Sequence, residues 1–302
     1  MAEVLAKAIS MVAIIFVGYF LKRTGFLTRE AFPLLSRISL NVTLPCVIIA
    51  KFSEFTLDYA FLVFVPIGIA LNLFCSFLGY IVGSKGGPSS RGYYMINLSG
   101  FNIGSFALPF TQAFLGPESV VAVCLFDTGN SIMCTGGTYA MASMVADAGE
   151  RHTVGEFLKK LFSSIPLDVY LFMLIISVLQ LRLPLVVTTF AQTVGNANAF
   201  LAMFVIGVGF EWRMKKEEQL HTIFSLILRY GIAAVIAALF WVFLPFSAEV
   251  RKAMMIVAFA PLSALCPVFT LRIGGDESLS STLNSMSIVI STVIITILLV
   301  AL

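Results

Sequence analysis

Along its length the chain alternates between long apolar runs and short polar connections. Ten runs stand out, near residues 4–22, 32–51, 58–82, 92–115, 119–146, 160–181, 186–211, 220–246, 250–272 and 279–302. A bilayer core of about 30 Å takes roughly twenty apolar residues per helix, so each run predicts one transmembrane helix. The connections are too short to house a soluble domain. An outer-membrane barrel would instead alternate polar and apolar positions over strands of about ten residues.

The cations in the connections set an orientation. Lys22, Arg23, Arg29, Lys85, Arg91, Arg151, Lys159, Lys160, Arg213, Lys215, Lys216 and Arg272 share one side, against Lys7, Lys51, Arg182, Arg251 and Lys252 on the other. The side with twelve is expected to be cytoplasmic, which puts both termini outside and requires an even number of spans. Arg37 and Arg229 fall within runs, a turn or two from cytoplasmic ends, and read as snorkelling side chains.

The loop around Asp147 to Lys160 divides the chain into residues 1–150 and 151–302, five runs each. Five is odd, so the second half enters the membrane with opposite polarity. Homologous halves of this kind are inverted repeats, an architecture of secondary transporters. Faint internal matches agree: Ser105 and Pro109 in the fourth run against Ser263 and Pro267 in the ninth, and Asn130-Ser131 in the fifth against Asn284-Ser285 in the tenth.

Composition removes other classes. Hydrophobic residues are 59% and charged residues 12% of the 302-residue chain, about half the charge a soluble domain carries. Disorder, coiled coil and a disulfide scaffold all conflict with this. A net charge of +3, scattered, gives no footprint for nucleic acid. Five cysteines, all inside apolar runs and without a CxxC, read as free buried thiols. The first run is followed by Lys22-Arg23 and not by a small-residue cleavage site.

Polar groups inside the runs are then the places to look for chemistry. The fourth run reads Asn97-Leu-Ser-Gly100-Phe-Asn102-Ile-Gly104-Ser105-Phe-Ala-Leu-Pro109. Its glycines and proline predict an unwound break between Gly100 and Pro109. At membrane depth such backbone survives only against a cavity or inside protein. Freed amides favour an anion and freed carbonyls a cation. The ninth run offers a partner break, with Pro261 and Pro267 around Ser263 and Cys266. Opposite polarity would let the two breaks cross. Asp127, in Leu125-Phe-Asp127-Thr-Gly-Asn130, is a carboxylate deep in a span and therefore a functional candidate. Proton carrier, sodium ligand and hydrogen-bond brace all fit it. Asn41 before Pro45 marks a further polar turn, and Asn196 and Asn198 lie near the outer end of the seventh run. Catalytic groups are missing: His152 and His221 lie in or beside loops, and no HExxH exists, so the chain does not read as an enzyme.

Three stretches together carry a family resemblance: Asn41-Val-Thr-Leu-Pro45, Asn102-Ile-Gly-Ser-Phe-Ala-Leu-Pro109, and the ninth run ending Arg272-Ile-Gly-Gly-Asp276. With ten spans in two halves they resemble the auxin efflux carrier family, whose bacterial members include malonate and other organic-acid permeases. The resemblance covers essentially the whole chain. It implies an all-α inverted-repeat fold with crossed, proline-broken fourth and ninth segments. Segments 1, 2, 6 and 7 would form a scaffold, and segments 3–5 and 8–10 a moving transport domain. It also implies elevator-like alternating access and a homodimer. By position, Asn102, Gly104 and Ser105 beside Pro109 would hold a substrate carboxylate, faced by Ser263, Cys266 and Pro267, with Asn130 nearby. Asp127, Asn41 and Asn284 would couple transport or brace the site. Where relatives often carry an amide in the ninth segment, this chain has Ser263, Ala264 and Cys266. Its loop between segments 5 and 6 is far shorter than that of the long plant carriers, which makes it look like a bacterial-type member in the cytoplasmic membrane.

The expectation is a secondary transporter of small organic anions in the lipid bilayer, without cofactor, metal or nucleic acid, and with H+ or Na+ as the coupling ion. The rivals are a sodium-coupled carrier of bile-acid-like amphipathic acids, a ligand-binding receptor that moves nothing, and a channel.

Overall fold

The computed structural model describes residues 2–28, 30–146, 155, 159, 162–210 and 219–301. The loop predicted to divide the halves, with Arg151, His152 and Lys160, lies largely outside these residues, as do Arg29, Arg213, Lys215 and Lys216. Among the described residues the fold is all helical. The only extended pairing recorded is a single antiparallel bridge, Phe101 with Leu262.

In chain order the helices are α1 Ala2–Arg23, α2 Ala31–Ile38, α3 Leu44–Glu54, α4 Phe64–Val82, α5 Gly87–Leu98, α6 Leu108–Phe114, α7 Pro117–Ile132, α8 Thr138–Val145, α9 Ile165–Val178, α10 Leu185–Gly195, α11 Asn198–Gly209, α12 Gln219–Phe243, α13 Ala248–Ala258, α14 Cys266–Arg272 and α15 Glu277–Ala301. Among the described residues seven helical stretches are long and apolar enough to cross a membrane: Leu5–Arg23, Ala31–Glu54, Tyr59–Leu98, Pro117–Val145, Leu185–Gly209, Gln219–Phe243 and Glu277–Ala301. The run at 92–115 is split between α5 and α6, and that at 250–272 between α13 and α14, while that at 160–181 holds the 14-residue α9.

Three π-helical turns, Ser39–Thr43, Ile103–Ala107 and Met133–Gly137, join helices within their runs. The first two end two residues before Pro45 and Pro109. A proline ring clashes with the carbonyl four residues back and brings no N–H. The wider turn closes instead through bonds five residues apart, Leu44 N–H to Ser39 C=O and Leu108 N–H to Ile103 C=O. This corrects the predicted extent of the break: Ile103 to Pro109 are helical, and only residues 99–102 are unwound.

Burial is uneven in a way that locates the site. α1 and α12 show much apolar surface, with Phe16, Phe20, Ile227 and Val235 exposed, as lipid-facing helices do. In α7, Ser119 through Asn130 are all buried, so a helix enclosed on every side forms the centre of the bundle. Close packing comes from small residues. Gly68 of α4 meets the backbone of Phe126, Gly129 of α7 meets that of Val65, and Gly18 and Gly207 do the same between α1 and α11. A side chain at any of these positions would strike backbone.

Candidate functional site

The two breaks meet beside α7. Asn102 N–H donates to Pro261 C=O at 2.9 Å and Ser263 N–H to Gly100 C=O at 3.2 Å, which ties residues 100–102 to 261–263 as a minimal antiparallel pair. Gly100 holds φ +73°, a left-handed conformation other residues adopt only at a cost. Backbone released from helical pairing must find partners when water is absent, and side chains supply them.

Around the first break the partners are amides. Gly100 N–H donates to Asn72 Oδ1 at 2.9 Å, and Asn130 receives Phe101 N–H at 3.3 Å while giving its own Nδ2–H to Phe101 C=O at 2.9 Å. Asn72 and Asn130 also bond to each other at 3.1 Å. Asn130 Nδ2 reaches Asp127 Oδ1 at 2.8 Å, and the Tyr170 hydroxyl of α9 donates to Asp127 Oδ2 at 2.9 Å. Asp127 is buried with both oxygens engaged. A methyl group at Gly104 would come 3.4 Å from its Oδ2, which places the start of the second half-helix against this carboxylate.

Around the second break the partners are hydroxyls. Leu262 N–H donates to Ser287 Oγ at 3.1 Å and Ser291 Oγ–H to Phe259 C=O at 2.6 Å. The Tyr230 hydroxyl lies 2.7 Å from both Ser287 C=O and Ser291 Oγ.

Arg229 serves both breaks. It is 3% exposed, so the snorkelling expected from sequence is wrong. Its Nη1 approaches the carbonyls of Asn97, Leu98 and Ser99 at 3.4, 3.1 and 3.3 Å, and Nη2 those of Gly100 and Ala260 at 3.1 and 3.2 Å. The guanidinium carbon lies 5.2 Å from the centre of the Phe101 ring. Arg229 is ten residues beyond Gln219, the first described residue of α12, which at 1.5 Å per residue is about 15 Å of helix and beyond the reach of a snorkelling chain. Arg37, by contrast, is exposed as expected.

The predicted site residues fall into separate groups. Asn102 and Ser105 are half-buried, with no side-chain hydrogen bond among the described residues, and stand with Gly104 near Asp127 at the N-terminal end of the 103–114 helix. Gly100, Cys134, Thr138, Ser263 and Cys266 line a cavity of about 10 Å³ at the crossing, and no residue from Asn102 to Pro109 reaches it. Asn130 is engaged in holding Phe101. Pro267 is buried in the first turn of α14, where a proline's missing N–H costs least, and Pro109 is buried inside the 103–114 helix just past the π turn that accommodates it. Asn41 is exposed, and Asn284 Oδ1 is buried without a partner. The five cysteines are free thiols, four buried and Cys134 half-buried.

Sequence reading missed Asn72 and Tyr170. An amide amid the leucines of α4 was an available signal; a tyrosine in an apolar helix was not. A second polar cluster, also unforeseen as a unit, joins Thr43, Asn198 and Gln112: Thr43 Oγ1 donates to Asn198 Oδ1 at 2.9 Å, and Gln112 Nε2 to Gly195 C=O at 3.1 Å.

Residues 3–160 match the sequence profile of a family described as Membrane transport protein. An uncharacterized transporter of Methanothermobacter thermautotrophicus (strain Delta H) is 24% identical over 297 residues, covering 94% of each chain.

Proposed function

The chain belongs to the membrane transport family that includes the auxin efflux carriers, and from that premise we propose that it is a secondary transporter of small organic anions, mono- or dicarboxylates, working by alternating access. The observation that carries the substrate class is the pair Asn102 and Ser105. Two half-buried polar side chains with no hydrogen bond among the described residues stand in the first turn of a helix where, beyond the Ile103 N–H bonded to Phe101 C=O, the amides have no intrahelical acceptor. That is a setting for a carboxylate. Asp127, one neighbour away and held by Tyr170 and Asn130, is the group that takes the coupling ion, with H+ or Na+ as the candidates.

The architecture we propose has ten spans in two inverted halves, 1–150 and 151–302, with both termini outside a cytoplasmic membrane. Support comes from contacts at a constant spacing. Asn72 and Arg229, Asp127 and Asn284, and Asn130 and Ser287 are each separated by 157 residues. Asn72 and Arg229 both bind Gly100, while Asn130 and Ser287 each hold one break. Pairing by contact thus replaces the sequence match of Asn130 with Asn284.

An elevator motion of segments 3–5 and 8–10 against 1, 2, 6 and 7, in a homodimer, completes the reading. The bonds it would have to break include Tyr170 to Asp127, and Gln112 to Gly195 and to Asn198. The crossing itself is closed in this conformation, since 10 Å³ holds about one water-sized group.

The test is uptake of a carboxylate panel (acetate, lactate, malonate, succinate and benzoate) into proteoliposomes. Asn102→Ala is expected to lose at least about tenfold in uptake with an unchanged unfolding midpoint. Wild-type rates in the folded variant would overturn the site. A second reading, acids with a bulky apolar body, is favoured by a 380 Å³ recess between α1, α6 and α11 where Lys7 stands among Met11, Ile14, Ala113 and Phe200. Preference for benzoate over malonate would select it.

A further inference from the structure

Breaking two helices leaves carbonyls facing inward at the C-terminal ends of α5 and α13. Cation-coupled carriers with discontinuous helices fill such ends with a bound ion. Here the carbonyls of Asn97, Leu98, Ser99, Gly100 and Ala260 all lie within 3.4 Å of one guanidinium. We infer that Arg229 is a tethered counter-cation: it permanently occupies the carbonyl cage of the crossing, so this position needs no inorganic cation. This rests on reading the crossing as the transport site and narrows the coupling ion, because any ion dependence then passes through Asp127.

Three observations support it. The cage spans both breaks, four carbonyls from one and one from the other, which is what a shared ion would bridge. The charge also suits the site, since carbonyl ends of helices carry the negative end of the dipole. And Arg229 forms no ion pair among the described residues: its partners are these carbonyls and the face of the Phe101 ring. The Asp127 carboxylate is tied through Asn130 to the backbone of the same Phe101. A positive and a negative group are thus fixed on two sides of one residue.

The experiment measures thermal unfolding of the purified full chain, and so needs no substrate. With the other candidate ion ligand removed, Asp127→Asn is expected to unfold within about 1 °C in sodium, potassium or N-methylglucamine chloride at matched ionic strength, so that any sodium dependence of the wild type vanishes with the carboxylate. Arg229→Met is expected to unfold several degrees lower than wild type, to regain part of that shift with millimolar guanidinium chloride, and to gain nothing from urea, its neutral analogue. Arg229→Lys, which keeps the charge and loses the planar fork, is expected to fall between. A sodium-specific rise in the midpoint that persists in Asp127→Asn overturns the inference, as does an Arg229→Met midpoint equal to wild type, or rescue no better with guanidinium than with urea. If Arg229→Met cannot be purified folded, the sodium comparison in Asp127→Asn and Arg229→Lys still decide. Failure of the acid panel to be transported would remove the proposed function and leave these midpoints standing.

Discussion

The two breaks solve one problem with different chemistry. At Gly100–Phe101 the free backbone groups are met by carboxamides, Asn72 and Asn130, each giving and receiving hydrogen bonds. At Phe259–Leu262 they are met by hydroxyls, Ser287 and Ser291, seconded by Tyr230. A carboxamide offers two donors and an acceptor in a fixed plane, whereas a hydroxyl rotates to suit one partner at a time. The first break is therefore the more rigidly specified. It is also where the Asp127 carboxylate is tied in, and where the side chains of Asn102 and Ser105 have no hydrogen bond among the described residues. At the 157-residue spacing of the proposed repeat, Asp127 is matched by Asn284 and Asn72 by Arg229. Each pair has one neutral amide and one charge of opposite sign, so the crossing as a whole is balanced while its halves are not. On the proposed function the two ends divide the work: one binds and responds, the other supplies a fixed charge.

The largest expected difference follows from removing one support at each end. Asn130→Ala strands Phe101 N–H and C=O and leaves Asn72 and Asp127 each short of a partner, a loss on the order of 2–4 kcal/mol. Ser287→Ala strands only Leu262 N–H and should cost about 1 kcal/mol. Denaturation of both variants in mixed micelles checks the ranking, and equal losses would erase the proposed asymmetry between the breaks.

A second contrast separates backbone strain from crowding. Gly100 and Gly274 both hold φ +73°, but a methyl at Gly100 would meet Cys266 Sγ at 3.3 Å and Ser263 Cβ at 3.4 Å, whereas nothing lies within 4 Å at Gly274. Gly274→Ala is expected to cost about 1 kcal/mol from φ alone. Gly100→Ala adds the tight contact and should cost about 2 kcal/mol. If the two variants have the same unfolding midpoint, the crossing is looser than its 10 Å³ cavity implies.

Much of the site was legible because the membrane makes polar residues conspicuous. A carboxylate within Leu125-Phe-Asp127 and glycines beside a proline stand out against apolar neighbours; Gly100 lies at the crossing and Asp127 is tied to it through Asn130, while Gly104 stands apart from the crossing cavity. The length of the break was misjudged because Pro109 reads as a breaker, while a π turn absorbs it and keeps Ile103–Ala107 helical. Arg229 was misjudged for a different reason. Its distance from the polar end of its run was treated as short, although ten residues of helix carry it about halfway across a bilayer core of about 30 Å. Tyr170 was invisible, since nothing local marks a buried tyrosine whose value lies in a partner 43 residues away.

The smallest expected effect is also the one that separates the roles left open for Asp127. Tyr170→Phe removes a single donor to Asp127 Oδ2 and keeps the ring, which is 1% exposed and packed in the core. Hydrogen bonds within membrane helices average below 1 kcal/mol, so a loss of roughly 1 kcal/mol is the ceiling. If Tyr170 only braces the carboxylate, the variant should keep most of its uptake, while Asp127→Asn loses at least about tenfold because a group able to bind the coupling ion is gone. The double variant should then be no less stable than the two single losses predict, their coupling being about the energy of one hydrogen bond. Equal loss of uptake in Tyr170→Phe and Asp127→Asn would point the other way. It would mean that the bond between α9 and α7 is itself what transport makes and breaks, and that Asp127 serves as one half of a latch.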